Sequence, residues 1–136
     1  MPDDVLLNKV AIIERCLTRI QDVYANNDKN LFEDVTKQDS IILNLQRACE
    51  ASIDLGMHLV RKRGLGIPQE SREAFELLEK AGLLDSGLAQ RMKKMVGFRN
   101  VAVHDYTDLN YEIIKVIITE RLEDFSAFNK FALQLA

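Results

Sequence analysis

Apolar residues fall at Leu6, Val10, Ile13, Leu17, Ile20 and Tyr24, in steps of four, three, four, three and four. That spacing lays a single stripe along a helix and predicts one from Val5 to about Tyr24. The pattern returns in a longer segment, where Ile42, Leu45, Cys49 and Ile53 carry the main stripe of a helix from about Lys37 to Arg63. Ile41, Ala48, Leu55 and Leu59 widen that face, with Ser52 a small polar break in the second row. Such width suits two neighbours, a bundle mate and a second subunit. A last helix toward the C-terminus is striped by Ile114, Ile117, Ile118, Leu122, Phe125, Phe128 and Leu135.

The intervening residues supply stops and starts. The Asn26-Asn27-Asp28-Lys29-Asn30 run ends the first helix, because Asn and Asp side chains compete for backbone bonds. Leu31, Phe32 and Val35 are expected to tuck a short connection against the bundle. Thr36 and Asp39 have capping-box spacing at the head of the second helix. Gly64-Leu65-Gly66-Ile67-Pro68 stops it; the Gly-x-Gly lacks the third glycine and preceding strand of a phosphate loop. Ser71 caps a short third helix to about Ala81, with Phe75 and Leu78 inward, and Gly82 ends it. A fourth begins near Asp85 or Ser86, with Leu88, Met92, Met95 and Val96 inward. Asp108 or Asn110 caps the last. The expectation is a single domain over residues 1–136, an all-α antiparallel bundle of about five helices. Two prolines and six glycines in 136 residues agree with helices rather than a turn-rich β fold.

Net charge is −3, so bulk attraction to nucleic acid is not expected and any such contact must be local. Arg91, Lys93, Lys94 and Arg99 lie within nine residues that hold no acid, and Arg61-Lys62-Arg63 forms a second group. Both groups also suit solvated helix faces or ends. Cys16 and Cys49 sit in helical segments without metal-ligand spacing and read as buried thiols in a reducing compartment. With no basic segment leading into an apolar run at the start, and no run of membrane-spanning length, a cytoplasmic protein is expected. His58 lies on the second helix with no evident partner. Two histidines and scattered acids make no metal site.

One stretch carries chemistry: Gly97-Phe98-Arg99-Asn100-Val101-Ala102-Val103-His104-Asp105-Tyr106. A guanidinium holds phosphate through paired donors, and an imidazole moves protons near neutral pH. Together they point to a phosphodiester. On an ideal helix Arg99 and His104 would point about 140° apart. Asn100 is a poor helix former, and Val101 and Val103 are β-branched. Arg99 is therefore expected to close the fourth helix, with His104 on the connection beyond. Cleavage of RNA needs a base and an acid, and one chain supplies one histidine at this site. A two-fold homodimer would supply both.

The stretch resembles the Arg-x4-6-His signature of HEPN-domain ribonucleases, and Arg99, His104 and Tyr106 match the extended Arg-x4-His-x-Tyr form of HepT toxins. The likeness extends to Ile42–Arg47 and Cys49-Glu50-Ala51, the Gly66-Ile67-Pro68 turn and Lys93–Gly97. It implies a HEPN-like bundle that dimerises, and the toxin of a type VII-like toxin–antitoxin pair. The activity implied is metal-independent cleavage of RNA (mRNA or tRNA) by 2′-hydroxyl transesterification, with catalytic Arg99 and His104 in a composite site and no cofactor. The partner implied is an MntA-like nucleotidyltransferase that uses ATP and a divalent metal to transfer AMP to Tyr106. Without the resemblance, Tyr106 reads as an amphipathic ring at a helix junction. Asn100 and Asp105 match supporting polar residues of the family. Asn100 would bond a phosphate or base, and Asp105 would orient the imidazole or cap a helix; for both, a structural turn role stands equally open. Arg91, Lys93 and Lys94 are candidate RNA contacts. The alternative is a non-catalytic HEPN module that binds a nucleotide or partner and dimerises.

Overall fold

The structure, a computed structural model, describes residues 2–135. Its centre is the 29-residue helix α3 (Val35–Arg63), whose buried residues face outward to neighbours on several sides. Helix α1 (Asp4–Tyr24) lies antiparallel along it and reaches it through α2 (Lys29–Phe32). Helices α4 (Ser71–Lys80) and α5 (Ser86–His104) pack on α3 from another side. A 3₁₀ turn (Tyr106–Asp108) leads to α6 (Tyr111–Val116), which runs through a π-helical turn (Ile117–Arg121) into α7 (Leu122–Leu135). The described residues contain no strand.

The expected stripes form the core. Leu6, Ile13, Leu17, Ile20 and Tyr24 of α1 are buried against Ile41, Ile42, Leu45, Ala48 and Cys49 of α3 in one continuous cluster. Ser52, the polar break, donates its hydroxyl to the Ala48 carbonyl at 2.8 Å and is buried without an unmet group. Phe75 and Phe128 meet edge to face, their centroids 5.2 Å apart, where α4 and α7 cross α3. Gly56 lies at that crossing, where a Cβ would come into ordinary contact with the Ala74 Cβ at 3.4 Å. Gly64 and Gly82 stop α3 and α4 in left-handed conformations, with φ of 62° and 76°.

Four local expectations are corrected. Asp34, not Thr36, caps α3: its carboxylate accepts from the Lys37 N–H at 3.0 Å, and the helix begins at Val35. Of the connecting apolar residues Leu31 is buried, but Phe32 is 36% and Val35 68% exposed. Ser71 is the first residue of α4 rather than its cap, and its hydroxyl serves α5 instead. The widened face of α3 leaves nothing for a second subunit, because Ile41, Ala48, Leu55 and Leu59 are all buried within the chain.

Polar ties close the ends. Asp3 caps α1 through the Leu6 N–H at 2.8 Å, and its other oxygen meets His58 Nε2 at 2.8 Å and Lys62 Nζ at 3.0 Å on α3. The Leu6 N–H, then His58 and Lys62, hold the Asp3 carboxyl well below its ordinary value of 3.8. Tyr24 donates to Asp28, whose other oxygen pairs with Lys115 at 2.8 Å and ties α6 to this corner. Because Asp3 titrates lower in the folded chain than in the unfolded one, its contribution is present above about pH 4 and is lost as pH falls below that. Asp3→Asn should therefore lower the urea midpoint at neutral pH. It should also flatten the loss of stability below about pH 4, read as urea midpoints across an acid series.

Candidate active site at the end of α5

Helix α5 does not end at Asn100. It continues to His104, and the Asp105 N–H closes it on the Val101 carbonyl at 2.8 Å. The helix penalties of Asn100, Val101 and Val103 amount to a few tenths of a kcal/mol each, roughly. Set against them are the backbone bonds of the last turn and the burial of Ala102. Tertiary packing overrides local preference here. Arg99 and His104 therefore share one helix, about a turn and a half apart, and leave it on different sides.

Arg99 is held in place. Its Nε donates to Asn100 Oδ1 at 3.0 Å and its Nη2 to Ser71 Oγ at 3.1 Å. Of the five guanidinium N–H donors, those two bonds leave others for a ligand. Asn100 thus orients Arg99 in this chain. Ser71 was not legible as a site residue, since its sequence position reads as a helix start and its partner lies 28 residues away. His104 is exposed at the last turn of α5. Asp105 makes its turn contacts through the backbone, with no carboxylate bond to His104 among the described residues.

Tyr106 opens the 3₁₀ turn after α5 and is 43% exposed. Its hydroxyl donates to Asp39 Oδ1 on α3 at 2.8 Å. Partial burial of the ring and the Asp39 carboxylate push the phenol up to about 12, so it stays protonated at neutral pH. Asp39 had a plausible capping role in the sequence; the fold uses it on a residue 67 positions away.

The expected basic stripe is divided. Arg91 Nε pairs with Asp124 Oδ1 at 2.8 Å, and Lys93 Nζ with Glu76 Oε1 at 3.7 Å. Lys94 is exposed and unpaired among the described residues, beside an open groove of about 570 Å³. That groove lies between α5 and α6 and is lined by Phe98, Val101, Leu109, Ile113 and Val116. Ile113 and Val116 are 55% and 45% exposed, and Val103 nearby on α5 is 46% exposed. One Asp124 oxygen at its rim has no hydrogen-bond partner. No cluster of metal-ligating side chains occurs among the described residues.

Fold and site define a helical bundle that presents Arg, His and Tyr around the end of one helix. Comparison with known proteins gives this class a family. The ribonuclease HepT-like family model matches residues 13–131. The mRNA nuclease HepT of Shewanella oneidensis is 49% identical over 126 residues, covering 93% of this chain and 94% of that one. The tRNA nuclease HepT of Aphanizomenon flos-aquae is 30% identical over 84 residues, 62% of this chain and 57% of that one. A solved structure of the tri-AMPylated HEPN toxin of Shewanella oneidensis, in complex with MNT antitoxin, superposes with a TM-score of 0.92 at 47% identity. That superposition covers 98% of this chain and 99% of the toxin chain. The chain belongs to the ribonuclease HepT-like family.

Replacing Asp39 with Asn removes the carboxylate but keeps an acceptor. Asp39→Asn should bring the Tyr106 phenol down from about 12, part of the way to the ordinary tyrosine value of 10.0, because burial of the ring, the largest cause, remains. Spectrophotometric titration of phenolate, with Tyr106→Phe subtracted, measures it; an unchanged midpoint would show that Asp39 is not responsible.

Proposed function

We propose that this chain is the toxin of a two-component pair, an endoribonuclease whose active site is shared between two copies and silenced by AMP at Tyr106. The observation that carries the reading is the geometry of α5. Arg99 is braced by Asn100 and Ser71 while His104 projects from the end of the same helix, and an exposed apolar groove runs beside them. Covering Phe98, Val101, Ile113 and Val116 with the same surface of a second copy would bury apolar area. It would also bring two copies of the motif together across a two-fold axis.

In such a site one neutral imidazole takes the proton of an RNA 2′-hydroxyl as its oxygen attacks the phosphorus. The other, protonated, gives a proton to the departing 5′-oxygen. The products are a 2′,3′-cyclic phosphate and a free 5′-hydroxyl. The Arg99 guanidiniums stabilise the charge that builds on the equatorial oxygens. No metal enters these steps. Lys94 is left to attract the strand. The substrate is RNA; the relatives named above include both an mRNA and a tRNA nuclease.

Silencing follows from Tyr106. Its exposed hydroxyl attacks the α-phosphorus of ATP held with a divalent metal by an MntA-like nucleotidyltransferase. Pyrophosphate leaves, and the phenolic proton passes to Asp39. The attached phosphodiester sets negative charge two residues from His104 and repels RNA. The AMPylated relative bound to MNT antitoxin supports this reading. Both components would act in the cytoplasm. No helix among the described residues is long and apolar enough to cross a membrane.

His104→Ala should lower RNA cleavage by at least about 10²-fold while helix content and dimer mass stay unchanged. A chelator should leave the parent's cleavage intact. Cleavage lost to chelation, or a variant as active as the parent, would sink the acid–base reading. Mass spectrometry after incubation with the nucleotidyltransferase and ATP should find added AMP on Tyr106 and none on Tyr106→Phe. Modification at another residue would refute the acceptor role.

A further inference from the structure

A second cavity, about 470 Å³, lies between α1 and α3 and is lined by Arg15, Arg19 and Arg47. In a chain of net charge −3, three guanidiniums around one hollow are an exception. Some of the other cations pair with acids, Lys9 with Asp54, Lys62 with Asp3, Arg91 with Asp124, Lys93 with Glu76 and Lys115 with Asp28, and those left unpaired do not gather around a hollow in this way. Among the described residues Arg15, Arg19 and Arg47 make no ion pair and no side-chain hydrogen bond. Gathering like charges costs free energy unless an anion is to come between them.

The arrangement is linear. Arg15 and Arg19 stand one turn apart on α1. The register set by the Asp3–His58 and Lys9–Asp54 contacts puts Arg15 level with Arg47, and Arg19 a turn nearer Asp39. Arg15 and Arg47 line the cavity together with the buried Cys16. Ile12 and the 43%-exposed Leu43 give the cavity an apolar wall.

Asp39 is the one acid in the lining, and its carboxylate receives the Tyr106 hydroxyl. Tyr106 is therefore anchored at the mouth of the arginine groove. A phosphodiester on the tyrosine oxygen ends that hydrogen bond and sets two negative charges face to face. Asp39 then repels the phosphate, and the guanidiniums attract it. From Asp39 to Arg47 the helix rises about 12 Å. Three stacked nucleotides rise about 10 Å.

We propose that this groove seats the ribonucleotides carried by Tyr106, with Arg19, Arg15 and Arg47 holding their phosphates and the Ile12–Leu43 wall meeting a base. The proposal rests on the reading of Tyr106 as the acceptor. It adds that the silencing group is an ordered chain along α1 and α3 rather than a loose tail. Sequence alone could not assemble the site: Arg15 and Arg19 are a visible i, i+4 pair, but Arg47 joins them only through the packing register.

The test uses the full chain modified by its nucleotidyltransferase and ATP, then exposed to a phosphodiesterase that removes terminal nucleotides. In the triple variant Arg15→Gln, Arg19→Gln, Arg47→Gln, removal followed by intact mass should be about tenfold faster than in the parent, as expected for losing one charge-assisted contact or more. The unmodified variant should cleave RNA at the parent's rate. If the triple variant does not fold, Arg19→Gln alone should speed removal by about threefold. Unchanged removal overturns the proposal. Loss of RNA cleavage by the unmodified variant overturns it too, and assigns the arginines to the substrate strand. A parent that takes no nucleotide at Tyr106 removes the acceptor reading first, and is seen before any variant is made.

Discussion

Everything in this molecule is referred to one helix. Buried residues recur along α3 from Ile41 to Val60, on more than one side, because α1, α4, α5 and α7 all pack on it. Tight packing of this kind leaves little room for independent movement of its neighbours. That rigidity serves both parts of the site. The start of α4 backs the helix that carries Arg99 through Ser71, while α3 supplies Asp39 to Tyr106 and Arg47 to the arginine groove. The brace on Arg99 and the anchor on Tyr106 thus rest on the same scaffold.

The length of α5 is the second constraint. A helix that ended at Asn100 would let His104 fold back toward Arg99 on a flexible connection. A helix that runs to His104 fixes the direction of each side chain and separates them around the axis. Within one chain the two groups then serve different neighbours: Arg99 is turned to Asn100 and Ser71, and His104 to solvent. The apolar groove between α5 and α6 lies alongside, and the π-helical turn after Val116 sits on its border. Such turns often occur where a helix is reshaped for function. Here it accompanies Ile117 and Arg121, which line the groove with Asp124.

The charge distribution carries a related lesson. Arg91, Lys93 and Lys94 are close in sequence and were the natural basic patch to propose. Successive helix positions diverge by about 100°, so closeness in sequence is not closeness in space. Arg91 and Lys93 end in ion pairs with α7 and α4. The three arginines that do converge come from two helices and are spread over more than thirty positions.

The sequence by itself determined the bundle. Stripes at 3.6-residue spacing in α1, α3 and the last helix, and glycine stops at Gly64 and Gly82, follow from burial and backbone sterics that act over a few residues. It also displayed the Arg99, His104 and Tyr106 motif, which needs only order along the chain. Only the tertiary structure decided where α5 ends, because the small local penalties at Asn100–Val103 are outweighed by packing partners far along the chain. It alone decided that Ser71 holds Arg99, that Asp39 holds Tyr106 rather than capping α3, and that Arg15, Arg19 and Arg47 share one groove. Each of these depends on the register between helices, and register is set by the sum of long-range contacts rather than by any local pattern.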